Sequence, residues 1–116
     1  MDGTFSEVKL FQVKPDSVDA FERLIAQIRS EQKARPGCLA IRYIKRFYVL
    51  DDTQRPRQLT RIVKCVRYYS YWEFDSEDSY ADAIQWFIST YFKPLNKLLI
   101  MPFDINCGYA LEGDQS

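Results

Sequence analysis

The stretch Tyr68–Phe74 reads YYSYWEF, five aromatic rings in seven residues, and runs without a break into Asp75–Trp86, DSEDSYADAIQW. Aromatic side chains at that density favour an extended strand. Asp75-Ser76-Glu77-Asp78 then supplies capping oxygens and acids where they complement a helix dipole. Tyr80, Ile84, Phe87 and Ile88 follow at helical spacing and predict one apolar face. A strand therefore passes directly into a helix here.

Upstream, Cys38–Leu50 (CLAIRYIKRFYVL) predicts a second long strand, and Leu59–Phe74 its antiparallel return. The polar DDTQRPRQ between them reads as a loop that Pro56 keeps from pairing. Nearer the start, SEVKLFQV predicts a strand ending at Val13, with Val8 and Leu10 on one face and Phe11 and Val13 on the other. Pro15 makes a turn, and Asp16 or Ser17 caps a helix whose stripe is Val18, Phe21, Leu24, Ile25 and Ile28. Pro36-Gly37 stops it. Downstream, Pro94 is expected to restart a short helical piece, LNKLLI, that Pro102 ends. Asp104–Leu111 is a last strand, and the remaining five residues read as a frayed tail.

The order strand, helix, strand, strand, helix, strand predicts an α+β, ferredoxin-like βαββαβ fold, an antiparallel four-stranded sheet with both helices on one face. The 116 residues fit a single domain, 1–116, with an ordered core over about 5–111. The hairpin is apolar on both faces: Ile41 and Tyr43 against Ala40 and Ile44, Val63, Tyr69 and Tyr71 against Ile62, Tyr68 and Trp72. A sheet apolar on both sides needs a second cover. A homodimer through the sheet face is therefore expected, with Tyr69 and Tyr71 beside an interface of well over ~1,500 Å².

Sixteen basic and sixteen acidic residues cancel, so no overall field draws the chain to nucleic acid or a membrane. Locally the balance differs, because eight of the basic residues fall between Arg42 and Arg67 against only Asp51 and Asp52. This reads as a solvated basic hairpin. The shared strand order raises an RNA-recognition reading, but VRYYSYWEF lacks the glycines of that platform, and no nucleic-acid partner is expected. Three scattered cysteines and no histidine exclude an ordinary zinc site, so no metal is expected. No apolar run reaches membrane-spanning length and MDGTFSEVK has no leader pattern, which predicts a cytoplasmic protein with free thiols.

PGCLAIRYIKR at Pro36–Arg46, YYSYWEF followed by DSEDSYADAIQWF, and FKPLN at Phe92–Asn96 together resemble the antibiotic biosynthesis monooxygenase superfamily, over roughly Glu7 to Tyr109. The resemblance implies a dimeric α+β barrel, two ferredoxin-like subunits packed sheet to sheet. It also implies a pocket between sheet and helices with Trp72 as a wall. Strand alternation puts Val66, Tyr68 and Ser70 on the Trp72 side, facing Tyr80, Ile84, Phe87, Phe92 and Asn96. By the resemblance, Trp72, Tyr68 and Asn96 are the candidate catalytic residues. Val8, Val66, Ser70, Tyr80, Ile84, Phe87 and Phe92 are the candidate substrate-binding residues, and Arg42 is a further polar group.

Cofactor-free members of the superfamily oxidise quinol- or anthrone-type aromatics, the substrate's own carbanion passing an electron to oxygen. The resemblance thus implies a cofactor-independent monooxygenase acting on a small aromatic. No GxGxxG loop is present for flavin or NAD, in keeping with the expectation of no cofactor. Two departures stand out. Tyr68 occupies a position where some catalytic members carry asparagine, and no histidine is available to act as base. In the haem-degrading branch the iron-binding histidine aligns with Asn96 and a pocket asparagine with Val8, so the usual axial ligand is missing. A ligand-binding or purely structural dimeric barrel, or an isomerase, are the alternative readings.

Overall fold

The computed structural model describes residues 3–61 and 64–111. Strand β1 is Phe5–Val13, followed by a 3₁₀ turn at Pro15–Ser17 and helix α1, Val18–Lys33. Strand β2 is Cys38–Lys45, and a small separate ribbon pairs β3, Tyr48–Leu50, with β4, Pro56–Gln58. Strand β5, Val66–Phe74, leads into α2, Glu77–Asn96, and β6, Asp104–Tyr109, closes the sheet. The main sheet has the order β2-β5-β1-β6 with all neighbours antiparallel. This is the ferredoxin-like α+β fold.

Local chemistry explains the junctions. Ser76 is in an extended conformation and its side chain accepts from the Ser79 backbone N–H, the N-cap of α2. Gly37 has φ +81°, and a Cβ there would meet Ser79 Oγ at 2.5 Å and Asp75 Oδ1 at 2.6 Å. Its carbonyl accepts from the Asp75 N–H at 2.9 Å. The α1–β2 turn therefore rests against the start of α2, and only glycine has both the backbone freedom and the size for it.

Four expectations are corrected. The long hairpin breaks at Arg46-Phe47: β2 stops at Lys45, and the outer arms form the separate β3–β4 ribbon. Pro56 does not prevent pairing but sits opposite Leu50 at the end of that ribbon, an edge position where no N–H is required. Helix α2 runs through Pro94 without restarting, and Leu98 and Leu99 belong to a turn, Leu99 bridging to Val13. The first turn of helix leading into α1 is 3₁₀, and Ser17 makes no side-chain capping bond. The Ile62 and Val63 part of the expected return strand, and the expected tail at 112–116, lie outside the described residues.

Both helices pack on one face of the sheet, and that interface is the core. Phe11, Val13, Phe21, Ile28, Trp72, Phe74, Phe87 and Leu95 are fully shielded there. On the opposite face, register aligns two rows across the strands: Ile44–Tyr69–Leu10 and Arg42–Tyr71–Val8. Ile44 is 56% exposed, Val8 42% and Tyr69 37%. Tyr69 and Tyr71 thus point away from the helices, as the alternation predicts.

A polar seam and a pocket between sheet and helices

Strand β1 brings an unexpected feature to the core. Its helix-facing residues are Phe5, Glu7, Lys9, Phe11 and Val13, and all five are buried. Lys9 and Glu7 have no exposed surface and form an ion pair, with Lys9 Nζ 2.5 Å from Glu7 Oε2. The Tyr80 hydroxyl of α2 donates to Glu7 Oε1 at 2.7 Å. The ammonium also lies over two rings, 4.1 Å from the centre of Phe87 and 4.9 Å from that of Trp72. Burial pulls the Lys9 pKa below its ordinary value, opposed by the Glu7 charge. For a lysine, desolvation penalises the charged form, whereas a neighbouring anion favours it.

Cross-strand register extends this cluster sideways. Lys9 pairs with Ser70, and Ser70 with Tyr43, whose hydroxyl donates to Gln32 Oε1 of α1 at 2.6 Å. A polar seam thus crosses the apolar interface from Gln32 through Tyr43, Ser70 and Lys9 to Glu7 and Tyr80. Several of its atoms are buried and unpaired: Gln32 Nε2, Ser70 Oγ and Trp72 Nε1 lack partners. Unpaired buried groups of this kind are rare in proteins and mark places where water or a ligand atom would be favourable.

The open part of the interface lies against α1. A pocket of about 200 Å³ is lined by Phe21, Glu22, Ile25, Tyr43, Lys45 and Tyr68. The Tyr68 hydroxyl donates a short hydrogen bond to Glu22 Oε2, which Lys45 Nζ also contacts at 2.8 Å. Lys45 first and Tyr68 second hold the Glu22 carboxyl below its usual range. Burial, then the bond to Glu22, raises the Tyr68 hydroxyl above its ordinary value. Glu22 is therefore the ionised group of this pocket, and Tyr68 a protonated donor.

The residues expected at a site are distributed as follows. Val66, Tyr68, Ser70 and Trp72 share the helix-facing side of β5. Tyr80 and Phe87 are buried against them and Ile84 packs at the edge of the core. Only Tyr68 lines the α1 pocket. Trp72 is fully buried between Phe74, Phe87 and Tyr80, with ring centres at 4.9, 6.0 and 6.3 Å. Asn96 accepts from the Phe103 N–H at 3.3 Å, its amide nitrogen buried without a partner. Phe92 is 43% exposed and packs on Phe103 at the outer end of α2.

Val8 is a correction: it lies on the opposite face of the sheet, because β1 turns its odd-numbered residues to the helices. Arg42 is on that outer face as well. The sequence expectation passes over Glu7, Lys9, Glu22 and Tyr43. A signal for the first two was present: they share parity with Phe5, Phe11 and Val13, so any register that buries those rings buries the charges too. Among the described residues, no cluster of three or more His, Cys, Asp or Glu is disposed to hold a metal ion, and no helix is long and apolar enough to cross a membrane.

Tyr43, Tyr68 and Tyr80 all have their hydroxyl pKa raised, burial being the largest cause in each. A raised folded-state value contributes stability that is fully present below the unfolded pKa of about 10 and is lost as pH rises beyond it. In an alkaline titration followed at 295 nm, these three of the eight tyrosines are expected to ionise only together with loss of the near-ultraviolet dichroism of the folded state. Eight ordinary titrations near pH 10 in a still-folded protein would contradict the geometry.

No family model matches the chain, and no curated protein matches it. Solved structures do. A candidate antibiotic biosynthesis monooxygenase from Nitrosomonas europaea superposes with a TM-score of 0.71 at 13% identity, covering 97% of this chain and 95% of the other. A variant of SnoaB, a cofactor-independent oxygenase from Streptomyces nogalater, superposes with a TM-score of 0.69 at 14% identity over 100% of both chains. A dimeric ferredoxin-like protein from an uncultured marine organism gives 0.61 at 15% identity, covering 94% of this chain and 96% of the other. The chain thus has the fold of the antibiotic biosynthesis monooxygenases; at these identities the likeness concerns the fold alone.

Proposed function

We propose that the chain is a cofactor-independent monooxygenase that oxidises a small quinol-like aromatic in the pocket between α1 and the sheet. The observation that carries this reading is the pairing, in one aromatic-walled hollow, of an ionised carboxylate at Glu22 with the Tyr68 hydroxyl. The likeness to a cofactor-independent oxygenase in fold supports it. One aromatic ring fits the pocket, whose volume of about 200 Å³ is below the ~300–1,000 Å³ of drug-sized sites; further rings would project into solvent.

Each group then has a task. Phe21, Ile25 and Tyr43 hold the ring and exclude water from one side. Glu22 takes the substrate's proton as the Tyr68 bond, one of the two contacts that hold its carboxyl below the usual range, is given up. The Tyr68 hydroxyl turns from Glu22 to the developing oxyanion, a charge-assisted bond aimed where negative charge appears. The electron-rich anion reduces O₂, one oxygen atom enters the ring, and the other leaves as water. For hydroquinone the balance is one quinol and one O₂ giving one hydroxyquinone and one water, with all electrons supplied by the substrate.

Metal-free protein incubated with hydroquinone under ¹⁸O₂ is expected to form hydroxyquinone carrying one labelled atom. Tyr68→Phe is expected to slow turnover about 100-fold with substrate binding nearly unchanged. Unlabelled quinone and peroxide at the protein-free rate would reject the oxygenase and leave a ligand-binding barrel as the better account.

Assembly belongs to the same proposal. The rows Ile44–Tyr69–Leu10 and Arg42–Tyr71–Val8 form a partly apolar, ring-rich face that a second copy of the chain covers, sheet to sheet. Sedimentation is expected to give a dimer at micromolar concentration, and Tyr69→Arg to shift it to monomer. A folded wild-type monomer under those conditions would refute the pairing.

A further inference from the structure

A second, larger hollow lies where the end of β2 meets the start of β5, beside the first turn of α1, and shares Lys45 with the α1 pocket. Its volume is about 560 Å³. Among the described residues, Lys45, Arg46, Arg61, Lys64 and Arg67 line it, and no acidic one does. Its remaining wall is largely apolar, from Val18, Phe47, Leu59 and Val66. Arg46 and Arg67 are tied at the backbone, the Arg46 N–H donating to the Arg67 carbonyl at 2.9 Å. Two guanidinium-bearing residues are therefore held side by side on the break that ends β2. Among the described residues the ion pairs are Lys9–Glu7 and Lys45–Glu22, so only Lys45 of the five cations has a carboxylate partner there.

The basic run between Arg42 and Arg67 is thus not simply a solvated face. It folds around a concave, mostly apolar hollow of the size used for small organic ligands. Guanidinium groups match carboxylates with paired, charge-assisted hydrogen bonds. We propose that this hollow binds a small anionic amphiphile, an aromatic or acyl carboxylate, with the apolar body against Val18, Phe47 and Val66 and the carboxylate on Arg46 and Arg67. The proposal does not depend on the chain being an oxygenase.

Calorimetry with 2-naphthoate and its neutral isostere 2-naphthamide tests it on the intact protein. One naphthoate per chain is expected to bind, with the amide at least about 10-fold weaker. Arg46→Gln and Arg67→Gln are each expected to weaken naphthoate about 10- to 100-fold, the usual range for losing a hydrogen bond to a charged group. Arg57→Gln lies on the same basic ribbon but does not line the hollow, and is expected to leave affinity unchanged. Equal affinity for acid and amide, no binding, or an equal loss in Arg57→Gln would overturn the proposal. So would displacement of naphthoate by a short single-stranded oligonucleotide, which would assign the cations to a nucleic acid.

Discussion

Lys9→Met is expected to destabilise the folded protein by about 3–5 kcal/mol, the range for removing one partner of a buried ion pair. The reason is what remains. Glu7 has no exposed surface, and without the ammonium 2.5 Å away its charge would be held in the core by the Tyr80 hydroxyl alone. Adding Glu7→Gln to Lys9→Met should recover part of the loss. The amide still accepts from Tyr80 and the buried charge disappears, leaving only the cost of an unpaired amide NH2, about 1–3 kcal/mol. Urea denaturation of the wild type, both single variants and the double variant closes the cycle, at one protein concentration because assembly would otherwise shift the midpoints. Additive single effects would show that the two charges do not depend on each other.

Trp72→Ala is expected to cost a similar amount, about 3–5 kcal/mol, as for other fully buried large aromatics. Trp72 is fully shielded and packed by Phe74, Phe87 and Tyr80, so a void would open at the middle of the interface. It also removes one of the two rings beneath the Lys9 ammonium. Its effect on turnover is a second readout. Trp72 does not line the α1 pocket, so in a variant refolded at low temperature the loss of activity should follow the loss of folded protein. Loss of turnover in a fully folded Trp72→Ala protein would move the reaction from Glu22 and Tyr68 into the seam behind them.

The aromatic strand at Tyr68–Phe74 and the capped helix after it were legible because each depends on neighbours in sequence. Alternation separates Tyr68, Ser70 and Trp72 from Tyr69 and Tyr71, and the Ser76 cap needs only the N–H of Ser79. The element order then leaves few arrangements open, and the ferredoxin-like one is what forms. Pro94 and Pro56 depart from the local expectation for different reasons. Pro56 lies at a sheet edge, where its missing N–H has no ladder partner to lose. Pro94 lies in the last turn of α2, where it forfeits one bond, to the Thr90 carbonyl, and little helix follows for it to disrupt.

By itself the sequence determined the main-sheet strands, the two helices, their order and the split of rings between two faces, all set by local periodicity and capping. Tertiary structure alone decided which face of β1 meets the helices. Val8 and Leu10 on one side, and Phe11 and Val13 on the other, are both apolar, so alternation is symmetric and the facing depends on docking. That docking sent Val8 out and drew Glu7 and Lys9 in, where they pair with each other and Tyr80, from a helix some seventy positions later, donates to Glu7. It also put the open pocket under α1 instead of α2: Glu22 and Tyr68 lie 46 residues apart, a distance in sequence that no local pattern bridges.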